Sequence, residues 1–351
     1  MPVRNEAEHI ARVLDRLLAQ RYEPDKLEIL VVDGMSEDAT PQIVQEYVQK
    51  HPNTIRYFEN PKRLSSAARN IGVKHAQGEA VLIVDGHCII DNNDMLLNVS
   101  KAFTETGADC LGRPQPLEMT DATPLQWAIA TARRSPLGHH PDSLIYSDQA
   151  QFAPASSVAV AYCKSVFEKI GYFDENFDAA EDVEFNTRVD AAGLKCYFDP
   201  AIAVRYVPRK TIVALAIQME RYGRGRVRLW RKHPHTGSWK SFVPALFALV
   251  IWLGIPFCYF ATAYLFASEF FEAIFGSLLC YALHIPARVF VTVVTLYGVI
   301  VIAESVRLVR RQKRWNIFLS LYIVFCFIHT SFGNGILWEF FFPKRQQSRH
   351  R

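Results

Sequence analysis

The sequence is poor in the features that mark several large protein classes. Its 351 residues hold only seven cysteines, widely scattered, and no two form a CxxC pair. That number and spacing exclude a disulfide scaffold and a cysteine-held zinc site. No GxGxxG follows the first candidate strand, and GxxxxGK[ST] is absent. Neither a dinucleotide fold of the usual pattern nor a P-loop is expected, so a bound nucleotide must be held another way. The opening MPVRNEAEH lacks an apolar h-region. No signal peptide is expected there, and the first 200 residues are expected to stay in the cytoplasm. Charged residues make up only 21% of the chain against 50% hydrophobic ones, which excludes an intrinsically disordered protein.

Charge is also unevenly placed. Residues 1–201 carry 19 basic and 30 acidic side chains, whereas residues 202–240 carry 10 basic and 1 acidic. Residues 241–306 hold only Glu269, Glu272, Arg288 and Glu304, and residues 307–351 return to 9 basic and 1 acidic. Residues 242–264, 289–303 and 317–338 contain no charged side chain at all. A run of 23 residues, such as 242–264, is long enough to cross a hydrocarbon core of about 30 Å. Apolar blocks bordered by basic collars follow the positive-inside pattern, so membrane lipid is the expected partner of the collars and nucleic acid is not. Phe270–Ile285 carries Glu272 and His284 and reads either as a span or as a surface helix. The last block carries His329, Gly333, Asn334 and Gly335, where the chain can turn back. Three main hydrophobic blocks are expected, with the number of crossings open.

The first 200 residues alternate between strand and helix signals. Ile10, Val13, Leu14, Leu17 and Leu18 share a helical face. Leu27–Val32 and Ala80–Val84 read as buried strands, with Ile55–Phe58 a shorter one and Ser157–Tyr162 another. Ser36 is expected to cap a helix carrying Ile43, Val44, Tyr47 and Val48, and Ser65 or Ser66 one running to His75. Asn93–Thr106 and Asp182–Ala192 read as helices, the latter with Val183 and Phe185 as packing residues. This alternation argues an α/β sheet covered on both faces. In such sheets polar residues just beyond the strands gather in one crevice, and Asp33 and Asp85 both stand there.

Several residues can carry chemistry. Asp85 and His87 flank Gly86 after a strand, where a carboxylate and an imidazole can hold a divalent cation; an ordinary turn is the plainer alternative. Asp178, Glu181, Asp182 and Glu184 gather at a helix start. Acidic residues favour that place by capping and dipole effects, and one of them can serve as a general base. Gln218 and Arg221 share a face of a later helix, with Tyr222 next. Arg224, Arg226, Arg228, Arg231 and Lys232 follow, and most of this cluster is expected to anchor to anionic head groups. Arg221 can in addition reach a pyrophosphate. Arg63, Arg69 and Asn70 are either a solvated helix face or donors near a sugar.

Five stretches carry a resemblance to a known family: Pro2–Glu6, VVDGMSEDAT at 31–40, SSAARNIGVKHAQGEAVLIVDGH at 65–87, GYFDENFDAAEDVEFNTRV at 171–189 and QMERYGRGR at 218–226. Together they resemble the family 2 inverting glycosyltransferases of GT-A fold. Within them the chain is similar to membrane-anchored transferases of bacterial exopolysaccharide synthesis, such as the succinoglycan glucosyltransferase group. The resemblance implies a cytosolic GT-A catalytic domain over 1–205, an interfacial basic helical linker over 206–240, transmembrane helices over 241–343 and a basic tail over 344–351. It implies that Asp33 holds the nucleoside and that Glu6 lies at the nucleotide site; Arg63 and Arg69 join them as candidate donor-binding residues on their own account. Asp85 matches the first aspartate of a D-x-D motif, with His87 in the place of the second, and Mg²⁺ or Mn²⁺ is the implied cofactor. Asp182 matches the catalytic base of a Glu-Asp pair. Gln218, Arg221 and Tyr222 resemble a Q-x-x-R-W motif, with tyrosine for tryptophan.

The implied reaction is inverting sugar transfer from a nucleotide-sugar, UDP-linked, to a lipid-linked acceptor such as a polyprenyl-diphosphate saccharide. The implied place is a bacterial inner membrane, multi-pass, with the catalytic domain cytoplasmic. Transfer to a simple membrane lipid, processive polymer synthesis and a non-catalytic scaffold are the alternatives. The family carries a full strand ahead of the Pro2–Glu6 region, so either strand one is very short here or the natural start lies upstream.

Overall fold

The structure, a computed structural model, describes residues 1–139, 144–237, 242–266 and 268–343, and their side chains except those of 257 and 260–285. In chain order the strands are β1 (Pro2–Val3), β2 (Ile29–Asp33), β3 (Ile55–Glu59), β4 (Ala80–Leu82), β5 (Cys110–Gly112), β6 (Gln151–Phe152), β7 (Ala159–Cys163) and β8 (Cys196–Phe198). The helices are α1 (Ile10–Leu18), α2 (Thr40–Lys50), α3 (Ser65–His75), α4 (Met95–Thr106), α5 (Pro124–Arg133), α6 (Ala155–Val158), α7 (Lys164–Ile170) and α8 (Glu181–Ala191). After them come α9 (Ile212–Lys232), α10 (Val243–Phe266), α11 (Ser268–Gln312) and α12 (Phe318–Phe341). They form two compact units. One holds Met1–Thr120 and His140–Pro208, the other Asp121–His139 and Arg209–Arg345.

In the first unit every residue of β2 is buried, as a continuous apolar strand covered on both faces requires. It pairs in parallel with β1 (Pro2 beside Val32) and with β3 (Ile29 beside Ile55). Parallel pairing brings the C-terminal ends of these three strands to one edge. A second, mixed sheet has the order β4-β7-β5-β8-β6; β5 and β8 are parallel and the other pairs antiparallel. One hydrophobic core reaches both sheets through Val3, Val31, Ile55, Leu111 and Ala161, with Ile10 and Leu14 of α1 packed into it.

The architecture is the expected α/β one, with local differences. Ser36 does not cap α2. It turns back onto Asp33, and Asp38 Oδ1 accepts the Thr40 N–H instead. Neither Ser65 nor Ser66 caps α3, whose N-cap position is Leu64; Ser66 lies inside the helix and its hydroxyl donates to the Phe177 carbonyl. Ser66 thus finds a partner that only tertiary folding supplies, whereas the Ser36 hydroxyl turns to a carboxylate three positions back. Ala155–Val158 is a helical turn, so the expected strand at Ser157 starts at Ala159.

In the second unit α5 packs Ala128, Ile129 and Ala132 into a core with Leu215, Met219, Val301, Val309, Leu321 and Phe325. Pro286–Gln312 and Trp315–Phe341 are long and apolar enough to cross a membrane, and Val243–Pro256 is an apolar stretch within α10. The backbone of the ambiguous stretch Phe270–Ile285 is helical and continuous with α11; its side chains lie outside the described residues, as does the basic tail 344–351. The last block does not turn back at Gly333–Gly335, because α12 runs unbroken through it. These glycines serve close approach instead: a Cβ at Gly335 would overlap the Glu220 carbonyl, and one at Gly333 the Pro244 carbonyl.

The expected lipid anchors also differ. Arg228 donates from Nε and Nη2 to both oxygens of Glu339, at 3.0 and 2.9 Å, and Arg231 reaches the Glu339 carbonyl at 2.9 Å. Arg224 pairs with Glu220 and lies over the Trp338 ring. Buried Glu339 needs a cation, and the arginines one and two turns along α9 supply it.

Candidate active site

The strand ends of the first unit place the candidate residues. Asp33 closes β2 and is buried. Its Oδ1 accepts the Ser36 hydroxyl at 2.5 Å, and its Oδ2 accepts the Ser36 N–H at 3.0 Å and the Tyr57 hydroxyl at 3.3 Å. Burial, then the adjacent Asp33 charge, pushes the Tyr57 phenol up to about 12. Glu6 follows β1 and Arg63 follows β3, half-exposed and 3.8 Å from Glu37. Asn5, Met35 and Arg63, one beyond each parallel strand, all have φ between 55° and 58°. Three non-glycine residues in the left-handed region at one edge is the kind of strain that functional loops hold.

Asp85 and His87 follow β4, and Gly86 brings them to that same edge. A Cβ at Gly86 would meet Glu6 Cγ and Val3 Cγ1, each at 3.0 Å. His87 Nδ1 lies 2.7 Å from Glu6 Oε1. Asp85 Oδ2 accepts the Tyr206 hydroxyl at 2.7 Å. Burial works to raise the Asp85 pKa, but Arg69 and the Tyr206 hydrogen bond outweigh it and hold the carboxyl below its usual range. One carboxylate and one imidazole stand together here, and among the described residues no group of three His, Cys, Asp or Glu is placed to hold a metal. Such a pair fits a cation that draws its other ligands from phosphate and water, as Mg²⁺ and Mn²⁺ do.

Arg69 of α3 joins this edge to the acidic helix start. Its Nη2 is 3.4 Å from Glu181 Oε1. Burial opposes its charge, yet Glu181, Asp182 and Asp85 together raise its pKa above the ordinary arginine value. Glu181 is buried against Arg69, whereas Asp182, one residue on, is exposed and accepts its neighbour's N–H at 2.8 Å. Glu184 is consumed structurally by Arg188, and Asn70 holds Phe173 and Glu175. Gln218, Arg221 and Tyr222 belong to the second unit. Gln218 Nε2 donates to the Tyr222 hydroxyl at 2.9 Å, its Oε1 accepts from Arg209 at 3.3 Å, and Arg221 is exposed.

Two residues of this neighbourhood were not anticipated. Tyr206 reaches Asp85 across 121 positions, which no local pattern reveals. Arg113 is fully buried just beyond β5, donates to the Ile83 carbonyl at 3.1 Å and helps lower the Asp85 pKa. A polar residue directly after an apolar strand was the available signal, the same one that marks Asp33 and Asp85.

A mixed α/β domain with acidic residues collected at the strand ends, followed by long apolar helices, is the architecture of membrane-associated sugar transferases that use nucleotide donors. Comparison with known proteins agrees. The glycosyl transferase family 2 model matches residues 1–171 and the glycosyl transferase family group 2 model residues 145–303. The chain is similar to succinoglycan biosynthesis protein ExoA of Rhizobium meliloti (strain 1021), with 27% identity over 73% of this chain and 79% of that protein. It is similar to glycosyltransferase AglE of Haloferax volcanii, with 25% identity over the same shares. In fold it is similar to mannosyltransferase PcManGT from Pyrobaculum calidifontis, solved in complex with GDP-Man and Mn²⁺. The TM-score is 0.58 at 18% identity, over 96% of this chain and 86% of that one. The two models between them match the chain to family 2 glycosyltransferases over residues 1–303, and the fold is GT-A-like.

Proposed function

We propose that the protein transfers a sugar, with inversion, from a UDP-linked donor to a lipid-linked saccharide such as a polyprenyl diphosphate, in the synthesis of exopolysaccharide or another surface glycan. The observation that carries this reading is the gathering of Glu6, Asp33, Asp85 and His87 at one sheet edge, closed by the 2.7 Å contact between Glu6 and His87. In this reading Asp33 borders the nucleoside, and Arg63 and Arg69 lie near the donor sugar. A divalent cation at Asp85 and His87 supplies charge neutralisation for the departing diphosphate. Asp182 takes the proton from the acceptor hydroxyl, for which an exposed carboxylate at a helix start is suited. Attack from the face opposite the leaving group inverts the anomeric carbon. Gln218, Arg221 and Tyr222 border the acceptor, and the apolar helices keep the enzyme in the membrane where that acceptor lies, which raises its local concentration. The similarity to a succinoglycan biosynthesis protein supports the glycan class.

The test is a panel of nucleotide-sugars incubated with the purified protein and a membrane lipid extract, with product mass and linkage determined. Turnover with a UDP-sugar giving an inverted linkage on a lipid-borne saccharide is expected; retention of configuration or transfer only to water would refute the reading. Placement of residues 1–240 and 307–314 on the cytoplasmic side is tested by a cysteine introduced near Arg311. An impermeant reagent applied to intact cells should fail to label it.

A further inference from the structure

Glu6 enters the fold through its backbone and meets His87 through its side chain. Its carbonyl accepts the N–H groups of His9 and Ile10 at 2.8 and 2.9 Å, which starts α1, and its own N–H donates to Thr40 Oγ1 at 2.8 Å. The carboxylate is mostly buried, with its side chain 16% exposed against 43% for the imidazole. The approach is tight by construction of the loop, since any side chain at Gly86 would press on Glu6 Cγ and Val3. A carboxylate hydrogen-bonded to one ring nitrogen fixes the tautomer and the ring orientation, and so gives the other nitrogen the lone pair that a cation can take.

We propose that Glu6 is a positioning residue for the cation. It holds His87 Nδ1 so that Nε2, together with the Asp85 carboxylate, binds a divalent ion that accepts nitrogen. This rests on the reading of Asp85 and His87 as the cation pair, and adds a supporting partner to it. It also moves Glu6 from the nucleotide to the imidazole. The site then carries one negative ligand and one neutral ligand, the neutral one strengthened by a carboxylate behind it. A D-x-D pair would carry two negative ligands. The nitrogen ligand favours first-row transition ions over Mg²⁺.

The experiment uses the full chain in detergent with Mn²⁺ and UDP, and reads the ion and not turnover. Titration by electron paramagnetic resonance gives Mn²⁺ affinity, and electron spin echo modulation reports a directly bound imidazole ¹⁴N. The wild type should show that ¹⁴N coupling and His87→Ala should lose it. Glu6→Gln should weaken Mn²⁺ binding about 10–100-fold, the usual cost of losing such a supporting partner. In a His87→Ala background the same substitution should change nothing further, which a merely structural role for Glu6 does not predict. Gly86→Ala, which displaces Glu6 without removing its charge, should weaken binding in the same direction and serves if Glu6→Gln misfolds. Wild-type affinity and ¹⁴N coupling in Glu6→Gln would overturn the role of Glu6 and leave the cation pair standing. Bound Mn²⁺ without imidazole coupling in the wild type would overturn both.

Discussion

The two units use charge in opposite ways. In the first, ionisable side chains converge from separate strands on one edge, with Asp85 ionised beside Arg69 and Asp182 left exposed at its helix start. In the second they close on one another: Arg228 on Glu339, Ser135 on Glu304 at 2.9 Å, and His329 between the Tyr297 hydroxyl at 2.9 Å and the Leu137 carbonyl at 2.7 Å. In an apolar environment a polar group persists only if it is partnered. A catalytic edge keeps groups whose partner arrives with the substrate. The same residue types therefore read as chemistry at the strand ends and as cohesion between these helices, and substitution separates the two meanings.

Asp182→Asn should give the largest effect, lowering sugar transfer about 10²–10⁴-fold while leaving donor affinity and thermal unfolding close to wild type. Product formation and UDP binding measured side by side check it. Glu339→Ala should do the reverse, removing the buried carboxylate that both Arg228 nitrogens bond and costing about 3 kcal/mol or more of stability. Thermal unfolding in detergent reads that loss. Arg221→Ala should reduce transfer about tenfold, as for one charge-assisted hydrogen bond, without a matching loss of stability. Arg228→Ala should instead act mainly on stability, and equal small effects from both would remove Arg221 from the site.

The smallest effect concerns acid stability. Burial works to raise the Glu28 pKa, but the N–H groups of Gly78 and Gln77 and the Arg56 guanidinium hold it below its ordinary 4.5. A folded pKa below the unfolded one stabilises above that unfolded value, and the contribution is lost as pH falls through the folded one. Glu28→Gln should flatten the fall in stability below pH 4.5 and leave transfer at neutral pH unchanged.

Much of the first unit was legible because its elements are specified locally. The apolar run ending at Asp33 and the helix face of Ile10, Val13, Leu14 and Leu17 are found where periodicity places them. What escaped was contact across the chain. Glu6 and His87 are 81 residues apart, and nothing near either one announces the other. The hydroxyl of Ser66 follows a neighbour 111 positions away over the cap its position suggests. Arg228 reads as one more cation in a basic run until Glu339, 111 residues later, is seen beside it. Gly333 and Gly335 read as breaks because a sequence does not distinguish a glycine that permits a turn from one that permits close packing.

The excursion of Asp121–His139 into the helical unit bears on how the protein can be handled. Over the described residues the chain passes between the units three times, so no single cut separates them. A fragment stopped after Pro208 would keep α5 but lose Leu215, Val309 and Leu321, against which Ala128, Ile129 and Ala132 are packed. It would be a sticky polypeptide and not a water-soluble enzyme. A usable catalytic fragment calls for two operations, truncation near residue 208 and replacement of 121–139 by a short polar bridge.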